Sequence, residues 1–219
     1  MTSTAKHNEQ FTDDEIIARI LAGETPLYEI IIRRYNPFLY RVARGYGYDH
    51  HRAEDLLQEA YVNAYFHLAD FKKRSSFKTW LTRILLNECY RRKQKLSAKN
   101  ESTAAEAISE QASPIFHESR QTEKTIMNKE LGHVLETALG KIPEEYRMVF
   151  LLRELNGLNV AETAEALALS ESNVKVRLNR SKKMLRSEIE KMYSPEDIFE
   201  FNLVYCDRMV ERVMAAIKR

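Results

Sequence analysis

The stretch NVAETAEALALSESNVKVRLNRSKKMLRSEI, residues 159–189, decides the fold. Its spacing predicts one helix over Val160–Leu167 and a second from Glu171 to about Ile189, with Ser170 as the N-cap of the second helix. Facing apolar positions recur on both helices: Val160, Ala164 and Leu167 on the first, then Val174, Leu178, Ser181 and Leu185 at steps of 4, 3 and 4 on the second. Two short helices with complementary apolar faces and a tight turn between them form a helix-turn-helix.

The exposed face of the second helix is basic. Residues 171–191 carry seven basic and three acidic side chains, a net charge of +4. Arginine and asparagine match the hydrogen-bonding edges of guanine and adenine in the major groove, and lysine binds phosphate. The candidate duplex-DNA contacts on this helix are Ser172, Lys175, Val176, Arg177, Asn179, Arg180 and Lys183. The alternative interpretation is a solvated basic helix without a partner.

A second basic segment, FKKRSSFKTWLTRILLNECYRRKQK, covers residues 71–95 and contains the only tryptophan of the chain. It has nine Lys or Arg side chains against one acid, Glu88. Positive charge beside aromatic side chains is typical of surfaces that hold a nucleic-acid backbone and stack on unpaired bases. Ser75 or Ser76 is expected to cap the helix that follows. Trp80 suits a core position beside Ile84 as well as it suits base stacking.

The first half of the chain is also helical by pattern. A helical hairpin is predicted over Asp13–Ile32, and Pro37 is predicted to open a third helix with Phe38 and Val42 on its apolar face. A fourth helix begins at Ala53. Its apolar positions are Leu57, Tyr61, Ala64 and Leu68, and its uncovered polar side carries Asp55, Gln58, Glu59 and the apolar Val62.

An all-α chain of two helical domains follows from these patterns. The first domain covers residues 11–95, a helical bundle, and the second covers 126–191, the helix-turn-helix domain. Between them, residues 96–125 are small, polar and acidic, and predict a flexible linker. Residues 192–219 form a C-terminal extension with a predicted helix capped by Ser194 and Asp197, its first turn carrying Pro195. Because its stripe is strongly apolar, that helix is predicted to pack on the second domain, on the first domain or on another protein.

Composition limits the function classes. The 219 residues include six glycines, five prolines and two cysteines, and no apolar run of membrane-spanning length. Cys89 and Cys206 have neither partner motif nor ligand spacing, which argues against a disulfide framework and a zinc site. The six histidines are scattered, so no catalytic or metal cluster and no cofactor site is predicted. We expect a cytoplasmic protein without membrane insertion or enzymatic activity.

The order of these features resembles the extracytoplasmic-function (group IV) sigma factors of the sigma-70 family, from about Phe11 to Lys191. The segments that carry the resemblance are AEDLLQEAYVNAY at 53–65, FKKRSSFKTWLTRILLNE at 71–88, IPEEYRMVFLLRELNGLNVAETAEAL at 142–167 and VKVRLNRSKKML at 174–185. The resemblance implies that the first domain (sigma region 2) binds core RNA polymerase and opens the minus-ten promoter element. The second domain (sigma region 4) would read the minus-thirty-five element as duplex.

Roles for particular residues follow from the resemblance. Asp55, Gln58 and Glu59 match the residues that dock on the clamp helices of the largest polymerase subunit. The loop 72–76 matches the one that captures an unstacked base of the non-template strand. The implied minus-ten contacts are Lys72, Lys73, Arg74, Ser75, Ser76, Phe77, Lys78, Trp80, Arg83, Arg91 and Arg92. Promoter DNA, duplex and melted, and core polymerase are the implied partners, with an anti-sigma factor as a further candidate. For the C-terminal helix, our hypothesis is that it packs on the second domain and influences access to DNA or to an anti-sigma factor; the alternative is that it only completes the domain structurally.

Two positions depart from the family pattern. Lys73 and Ala168 stand where many relatives have glycine, in the base-capture loop and in the turn of the helix-turn-helix respectively. In the turn of the helix-turn-helix, a left-handed residue costs alanine on the order of 1 kcal/mol more than glycine. The register of the groove contacts is therefore open. The competing function is a helix-turn-helix regulator that binds duplex DNA without being a polymerase subunit, which would leave the basic segment unexplained.

Overall fold

The computed structural model describes residues 11–100, 123–192 and 203–217, which form helices and no strand. The all-α prediction is therefore confirmed. The helices are α1 (Asp13–Leu21), α2 (Tyr28–Gly45), α3 (His50–Phe66), α4 (Phe77–Asn100), α5 (Glu123–Gly140), α6 (Glu144–Phe150), α7 (Val160–Leu167), α8 (Glu171–Met192) and α9 (Leu203–Ile217). Short 3₁₀ turns cover Thr25–Leu27 and Leu68–Asp70. None of these described helices has both the length and the apolar character that crossing a membrane requires.

The first domain is a bundle of α1 to α4 whose helix starts are set by local sequence. Thr12 and Glu15 form a capping box at α1, and the Asp49 carboxylate accepts the Arg52 N–H at the start of α3. At α4 the Ser76 hydroxyl accepts the Thr79 N–H at 3.2 Å, as one of the two predicted caps. The predicted apolar positions of α3 and the turn after it, Leu57, Tyr61, Ala64 and Leu68, are all buried in the core.

Helix α2 corrects one prediction, because Pro37 lies inside it and does not open a new helix. A proline ring removes one N–H donor and usually breaks a helix at the preceding turn. Here Tyr35, Phe38 and Val42 lie buried on the core side of the same continuous helix. Burial of this stripe on both sides of the proline offsets the lost hydrogen bond, which the sequence pattern alone did not reveal.

The helix-turn-helix forms as predicted, with α7 at the predicted boundaries and α8 three residues longer at its end, to Met192 and not Ile189. Asn159 caps α7 in a box with Glu162, and the Ser170 hydroxyl accepts the Asn173 N–H at 3.3 Å at the start of α8. On α8 the predicted inward positions Val174, Ser181 and Leu185 are buried. The turn between the helices passes through Ala168, which has φ +52° and ψ +45°. Ala168 thus has the left-handed backbone that glycine, the residue of the family pattern at this position, adopts most easily.

Helix α6 runs into a π-helical turn over Leu151–Leu155. The Asn156 N–H donates to the Leu151 carbonyl at 2.9 Å, an i to i+5 bond that accommodates one extra residue per turn. Asn156 itself is buried at the end of this turn, facing the first domain. Such π turns are rare and are often found at functional sites.

The two domains pack against each other in this structure. Gly45, the last residue of α2, lies so close to Leu151 that a Cβ on the glycine would stand 1.9 Å from the leucine Cδ1. Arg44 of α2 and Glu136 of α5 form an ion pair at 2.9 Å, with the arginine side chain 3% exposed. These contacts join residues far apart in sequence, and no local pattern predicted them.

The linker and the C-terminal extension differ in part from expectation. Helix α4 continues to Asn100, five residues into the predicted linker, while residues 101–122 lie outside the described residues. The predicted cap at Ser194 and Asp197 also lies outside them. The expectation that the C-terminal helix packs on the second domain is wrong for residues 208–217, which are all exposed. Its large apolar side chains are 47 to 71% exposed, namely Met209, Val210, Val213, Met214 and Ile217.

Candidate polymerase and nucleic-acid interfaces

The predicted polymerase-docking residues lie together on the outer face of α3. Asp55, Gln58 and Glu59 are all exposed, while Leu56 and Leu57 between them are buried. Glu59 makes an ion pair with Arg92 of α4, one of the predicted DNA-backbone contacts. The helix therefore presents an exposed polar face at the predicted docking residues, and one of its carboxylates contacts the neighbouring basic helix.

An apolar groove of about 870 Å³ runs between α2 and α3, beside this face. Its wall includes Gln58, and its rim carries Val62 and Phe66, of which the phenylalanine is 76% exposed. The other lining residues are Thr25, Tyr28, Ile32, Asn36, Pro37, Tyr40, His50, Glu54, Leu57, Tyr61 and Tyr65. An exposed aromatic at the edge of an apolar groove is typical of a protein-binding surface.

The base-capture loop presents its basic side chains to solvent. Lys72, Lys73 and Arg74 are exposed, and Lys73 adopts φ +53°, a left-handed conformation that glycine adopts most easily. The Lys73 Nζ atom lies 2.8 Å from an oxygen of Asp14 at the start of α1. Ser75 is half-buried, and Ser76 ends the loop as the cap of α4.

Behind the loop lies a cluster of aromatic rings. Phe71, Phe77 and Trp80 have ring centroids 5.3 to 5.4 Å apart, and Tyr35 contacts Phe77 edge-on at 5.8 Å. Phe77 is only 3% exposed and forms part of the core, whereas Trp80 is half-buried. The cluster forms the floor of the loop, and Phe71 and Trp80 are its half-buried members. Contact of either ring with a DNA base stays a prediction.

Several of the predicted minus-ten residues contact the second domain directly. The Ser76 hydroxyl donates to a Glu162 carboxylate oxygen at 3.1 Å, and an Arg83 nitrogen lies 3.4 Å from Glu165. The two glutamates are three residues apart on α7, so they lie on one face of that helix. Helix α7 thus sets two carboxylates against the basic and hydroxyl donors at the start of α4.

Lys78 is the most enclosed of these cations. Its Nζ atom donates to the Asn156 carbonyl at 2.7 Å and lies 4.3 Å from the centre of the Phe38 ring. Desolvation by burial is the main cause that lowers the pKa of the Lys78 ammonium below its ordinary value, partly offset by the charge of Glu162. The Asn156 side-chain oxygen also accepts from Arg41 Nε at 2.9 Å, which fixes the end of the π-helical turn between α2 and α4.

Farther along α4, the cations form local ion pairs. Arg91 pairs with Glu88 on its own helix at 2.8 Å, and Arg92 pairs with Glu59 of α3. Lys93 reaches Glu144 of the second domain at 2.8 Å. Pairs as exposed as these contribute at most about 1 kcal/mol each, so the cations are available to phosphates at little cost.

The recognition helix α8 keeps its outer face open. The exposed members of the predicted set are Ser172, Lys175, Val176, Asn179, Arg180 and Lys183. Arg177 is half-buried instead, with a nitrogen 3.2 Å from Glu145 of α6. Arg180 also donates to the Tyr146 hydroxyl at 3.4 Å. The predicted duplex-reading surface is therefore accessible, while two of its arginines are oriented by the helix beneath.

Sequence reasoning missed the residues that join the two domains. Asn156, Glu162 and Glu165 contact predicted minus-ten residues, yet the sequence marks Glu162 only by its place three residues after Asn159. The only local signal that Asn156 has a special role is its place as a polar residue directly after the apolar run that follows α6. Their second role depends on how the domains pack, which no periodicity reports.

Comparison with known proteins agrees with this architecture. The family model described as Sigma-70 region 2 matches residues 31–99, and that described as Sigma-70, region 4 matches residues 133–185. The two matches cover the helices that carry the docking face, the capture loop and the helix-turn-helix. They leave the C-terminal helix α9 outside.

The curated relatives are similar over nearly their whole length. The ECF RNA polymerase sigma-E factor of Haemophilus influenzae is 26% identical over 185 residues, 83% of this chain and 97% of the relative. The ECF RNA polymerase sigma factor SigW of Bacillus subtilis is 27% identical over 176 residues, 79% of this chain and 94% of the relative.

Two solved structures share the fold. CnrH, solved in complex with the cytosolic domain of CnrY, superposes with a TM-score of 0.59 at 22% identity, covering 82% of this chain and 97% of that one. The sigma factor RpoE of Bartonella quintana, solved in complex with the anti-sigma factor NepR, gives 0.60 at 20% identity, with coverage of 74% and 96%. With both family domains present in order, the chain belongs to the extracytoplasmic-function group of the sigma-70 family.

Proposed function

We propose that this chain is the promoter-specificity subunit of a bacterial RNA polymerase, which binds core enzyme through α3 and promoter DNA through α4 and α8. The observation that carries the proposal is the presence of both sigma domains on one chain, with the docking residues Asp55, Gln58 and Glu59 exposed on α3. The chain acts in the cytoplasm and catalyses no reaction itself. Nucleotide addition belongs to the core enzyme.

Core binding uses the outer face of α3 and the groove beside it. Gln58 and the carboxylates next to it supply hydrogen bonds and charge, and Phe66 with Val62 supplies apolar area at the groove rim. A pair of clamp helices offers the complementary shape, because a helix packs well into a groove between two other helices. Exposed apolar anchors surrounded by polar groups are the composition expected of such an interface.

Promoter opening uses the loop 72–76 and the start of α4. Lys72, Lys73 and Arg74 attract the backbone, and a base that leaves the stack meets the aromatic cluster at Trp80. No hydrolysis is needed, since binding of an unstacked base offsets the few kcal/mol that unstacking costs per step. Arg91 and Arg92 then hold the strand along α4.

Duplex recognition uses the exposed face of α8. Asn179 and Lys175 lie on the side of the helix that enters the major groove, with Val176 between them as an apolar contact for a thymine methyl. Arg177 is held by Glu145 and serves the phosphate backbone. The chain therefore reads two promoter elements with two separate domains, and opening is confined to one of them.

An anti-sigma factor is a further partner that we propose. The support is indirect, because the similar RpoE structure was solved with its anti-sigma factor NepR. Both the groove beside α3 and the exposed α9 offer apolar surface for such a regulator.

Run-off transcription with purified core polymerase and a genomic promoter library tests the function. We expect selective initiation that core polymerase alone does not give. The Asp55→Ala/Gln58→Ala variant should lose core binding in a pull-down, while Glu29→Ala, an exposed carboxylate of α2 in the same domain, should bind as the parent does. Initiation no more selective than that of core alone would overturn the assignment.

The competing regulator function predicts a different binding profile. A conventional helix-turn-helix regulator binds its duplex tightly without polymerase, whereas the sigma function predicts weak binding by the free chain and specific initiation only with core enzyme. Fluorescence anisotropy with promoter duplexes separates the two. No described residue outside the helix-turn-helix favours the regulator.

A further inference from the structure

We propose that α9 of one chain docks in the apolar groove between α2 and α3 of a second copy, and that two copies exchange these helices to form a closed dimer. Both surfaces are accessible within one chain, since α9 is exposed over residues 208–217 and the groove lies at the surface beside α3. The dimer itself does not depend on the sigma function. Only its competition with core polymerase rests on that function.

The first support is the width of the apolar stripe on α9, whose five large apolar side chains are all exposed. Met209 and Met214 bound the stripe, and at about 100° per residue these positions lie roughly 140° apart on the helix. A two-stranded coiled coil uses a narrower seam and usually has charged residues at the flanking positions. A stripe this wide fits between two helices, which is the shape that α2 and α3 offer.

The length of α9 also favours a groove over pairing with a second α9. The helix has 15 residues, which is about two heptads, whereas a sustained coiled coil takes roughly three to four. Docking between two helices surrounds the short stripe with more apolar surface than a single partner helix provides. The groove of about 870 Å³ supplies that surface.

The second support is the chemical match of the two surfaces. The aromatic residues that line the groove are Tyr28, Tyr40, Tyr61, Tyr65 and Phe66. Methionine is flexible, and its sulfur packs favourably against aromatic rings. Because the stripe of α9 is bounded by two methionines, a docked helix would place both of them among these rings and cover the exposed phenylalanine at the rim.

The third support is the charge along the edges of both surfaces. Arg208 and Arg212 border the stripe on one side, one turn apart, and Glu211 borders it on the other. The α3 wall of the groove carries Glu54, and Asp55 beside it is also exposed. A helix docked with its basic edge toward α3 therefore meets opposite charges. Such complementarity sets the orientation of the docked helix and speeds its association.

The occupant of the groove comes from a second copy because the helix and the groove of one chain do not meet. Within the described part of the chain, the groove is lined by residues between 25 and 66, none of them from α9. Each copy brings one helix and one groove, so reciprocal exchange between two copies satisfies both surfaces. After the first helix has docked, the second docking joins chains that are already linked, which favours a closed dimer over an open chain of molecules.

The dimer and the proposed polymerase complex use the same surface. Gln58 lines the groove, and Asp55 and Glu59 of the predicted docking set lie beside it on α3. A helix from a second copy would therefore occupy the place of the clamp helices. The share of the chain that is free to bind core polymerase then falls as its own concentration rises.

The first experiment measures the mass of the full chain by sedimentation equilibrium at several concentrations, where the parent should be a dimer that dissociates on dilution. Val213→Glu places a carboxylate within the stripe, and the matched control Ala215→Glu places the same side chain on the opposite, exposed side of α9. We expect the dimer dissociation constant to rise by more than about tenfold for Val213→Glu and to stay unchanged for Ala215→Glu. Both positions are exposed, so the fold should be preserved, which circular dichroism checks.

The second experiment tests the groove. Phe66→Glu changes an exposed residue at the rim, and Ala69→Glu, exposed and outside the lining, is its control. Phe66→Glu should lose the dimer and Ala69→Glu should keep it. A mixture of the Phe66→Glu and Val213→Glu chains retains one intact pairing, because the groove of the second chain can take α9 of the first. The mixture should therefore form heterodimers although neither chain alone forms a homodimer.

Each other result contradicts the proposal. A parent chain that stays monomeric at every soluble concentration overturns it, as does a dimer that Val213→Glu leaves intact. Loss of the dimer by Val213→Glu but not by Phe66→Glu identifies pairing of α9 with itself and rejects the groove. A mixture that yields no heterodimer rejects the exchange of helices.

Binding of core polymerase separates the dimer from the sigma function. Monomeric Val213→Glu should bind core polymerase more tightly than the parent, by up to about tenfold if a tenth of the parent is monomeric, whereas Ala215→Glu should match the parent. A dimer with the expected variant behaviour but no selective run-off transcription by any chain supports the dimer and rejects the sigma function. Selective transcription by a parent chain that is always monomeric rejects the dimer alone.

Discussion

Replacement of Ala168 by glycine should stabilise the protein. Ala168 is an exposed residue with φ +52°, and its methyl group makes no buried contact that glycine would lose. A left-handed residue with a Cβ costs on the order of 1–2 kcal/mol. The greater freedom of glycine in the unfolded chain offsets about 0.4–1 kcal/mol of this gain. A net gain of about 1 kcal/mol in the free energy of unfolding is therefore expected.

The measurement is differential scanning calorimetry of the purified chain. A gain of this size raises the Tm of a domain of this length by about 2–4 °C. The matched control is Ala161→Gly on the same helix, an exposed position with ordinary helical backbone, where glycine should lower the free energy of unfolding by up to about 1 kcal/mol. A Tm for Ala168→Gly that falls, or that equals the control, would refute the assignment of strain to this turn.

Three further predictions concern other features of the structure. Lys73→Gly also removes a side chain from a left-handed position, but it loses an exposed ion pair with Asp14, so the free energy of unfolding should rise by less than about 1 kcal/mol in thermal unfolding. The slope of log K for promoter binding against log salt concentration should become shallower by about 1. Glu136→Gln replaces the carboxylate that pairs with the buried Arg44 guanidinium by a neutral amide, and urea unfolding should show a loss of about 3 kcal/mol in the free energy of unfolding; a loss below about 1 kcal/mol would contradict this. Burial raises the pKa of the Cys89 thiol from 9.0 to about 12. The unfolded chain therefore releases this proton first, and the free energy of unfolding falls between these pH values by up to about 1.4 kcal/mol per pH unit. Urea unfolding at several pH values should show a smaller slope for Cys89→Ala.

Local sequence determined the helix-turn-helix almost completely. Ser170 and the apolar stripe from Val174 to Leu185 each report on neighbours within one or two turns, and the start of α8 and its buried side followed from them. The exposed docking face of α3 was predictable for the same reason. A pattern that repeats along one helix identifies which side is buried, whatever the rest of the chain does.

The parts that sequence missed depend on distant contacts. Pro37 stays inside α2 because buried residues on both sides hold the helix together, which outweighs the local preference to break. The meeting of Glu162 with Ser76 joins positions 86 residues apart, and neither residue carries a local mark of the contact. The exposed apolar face of α9 was unexpected, because an apolar stripe predicts burial without naming a partner.

The π-helical turn makes chain length, and not only residue identity, a determinant of how the domains meet. An α-helix turns by about 100° per residue, so deletion of one residue from Leu151–Leu155 would restore regular geometry and rotate Asn156 by roughly that angle away from α2 and α4. Neither the docking face nor the recognition helix would change in sequence. A gain or loss of one residue at this turn is therefore the smallest alteration by which a protein of this fold could acquire or lose this packing of the two domains.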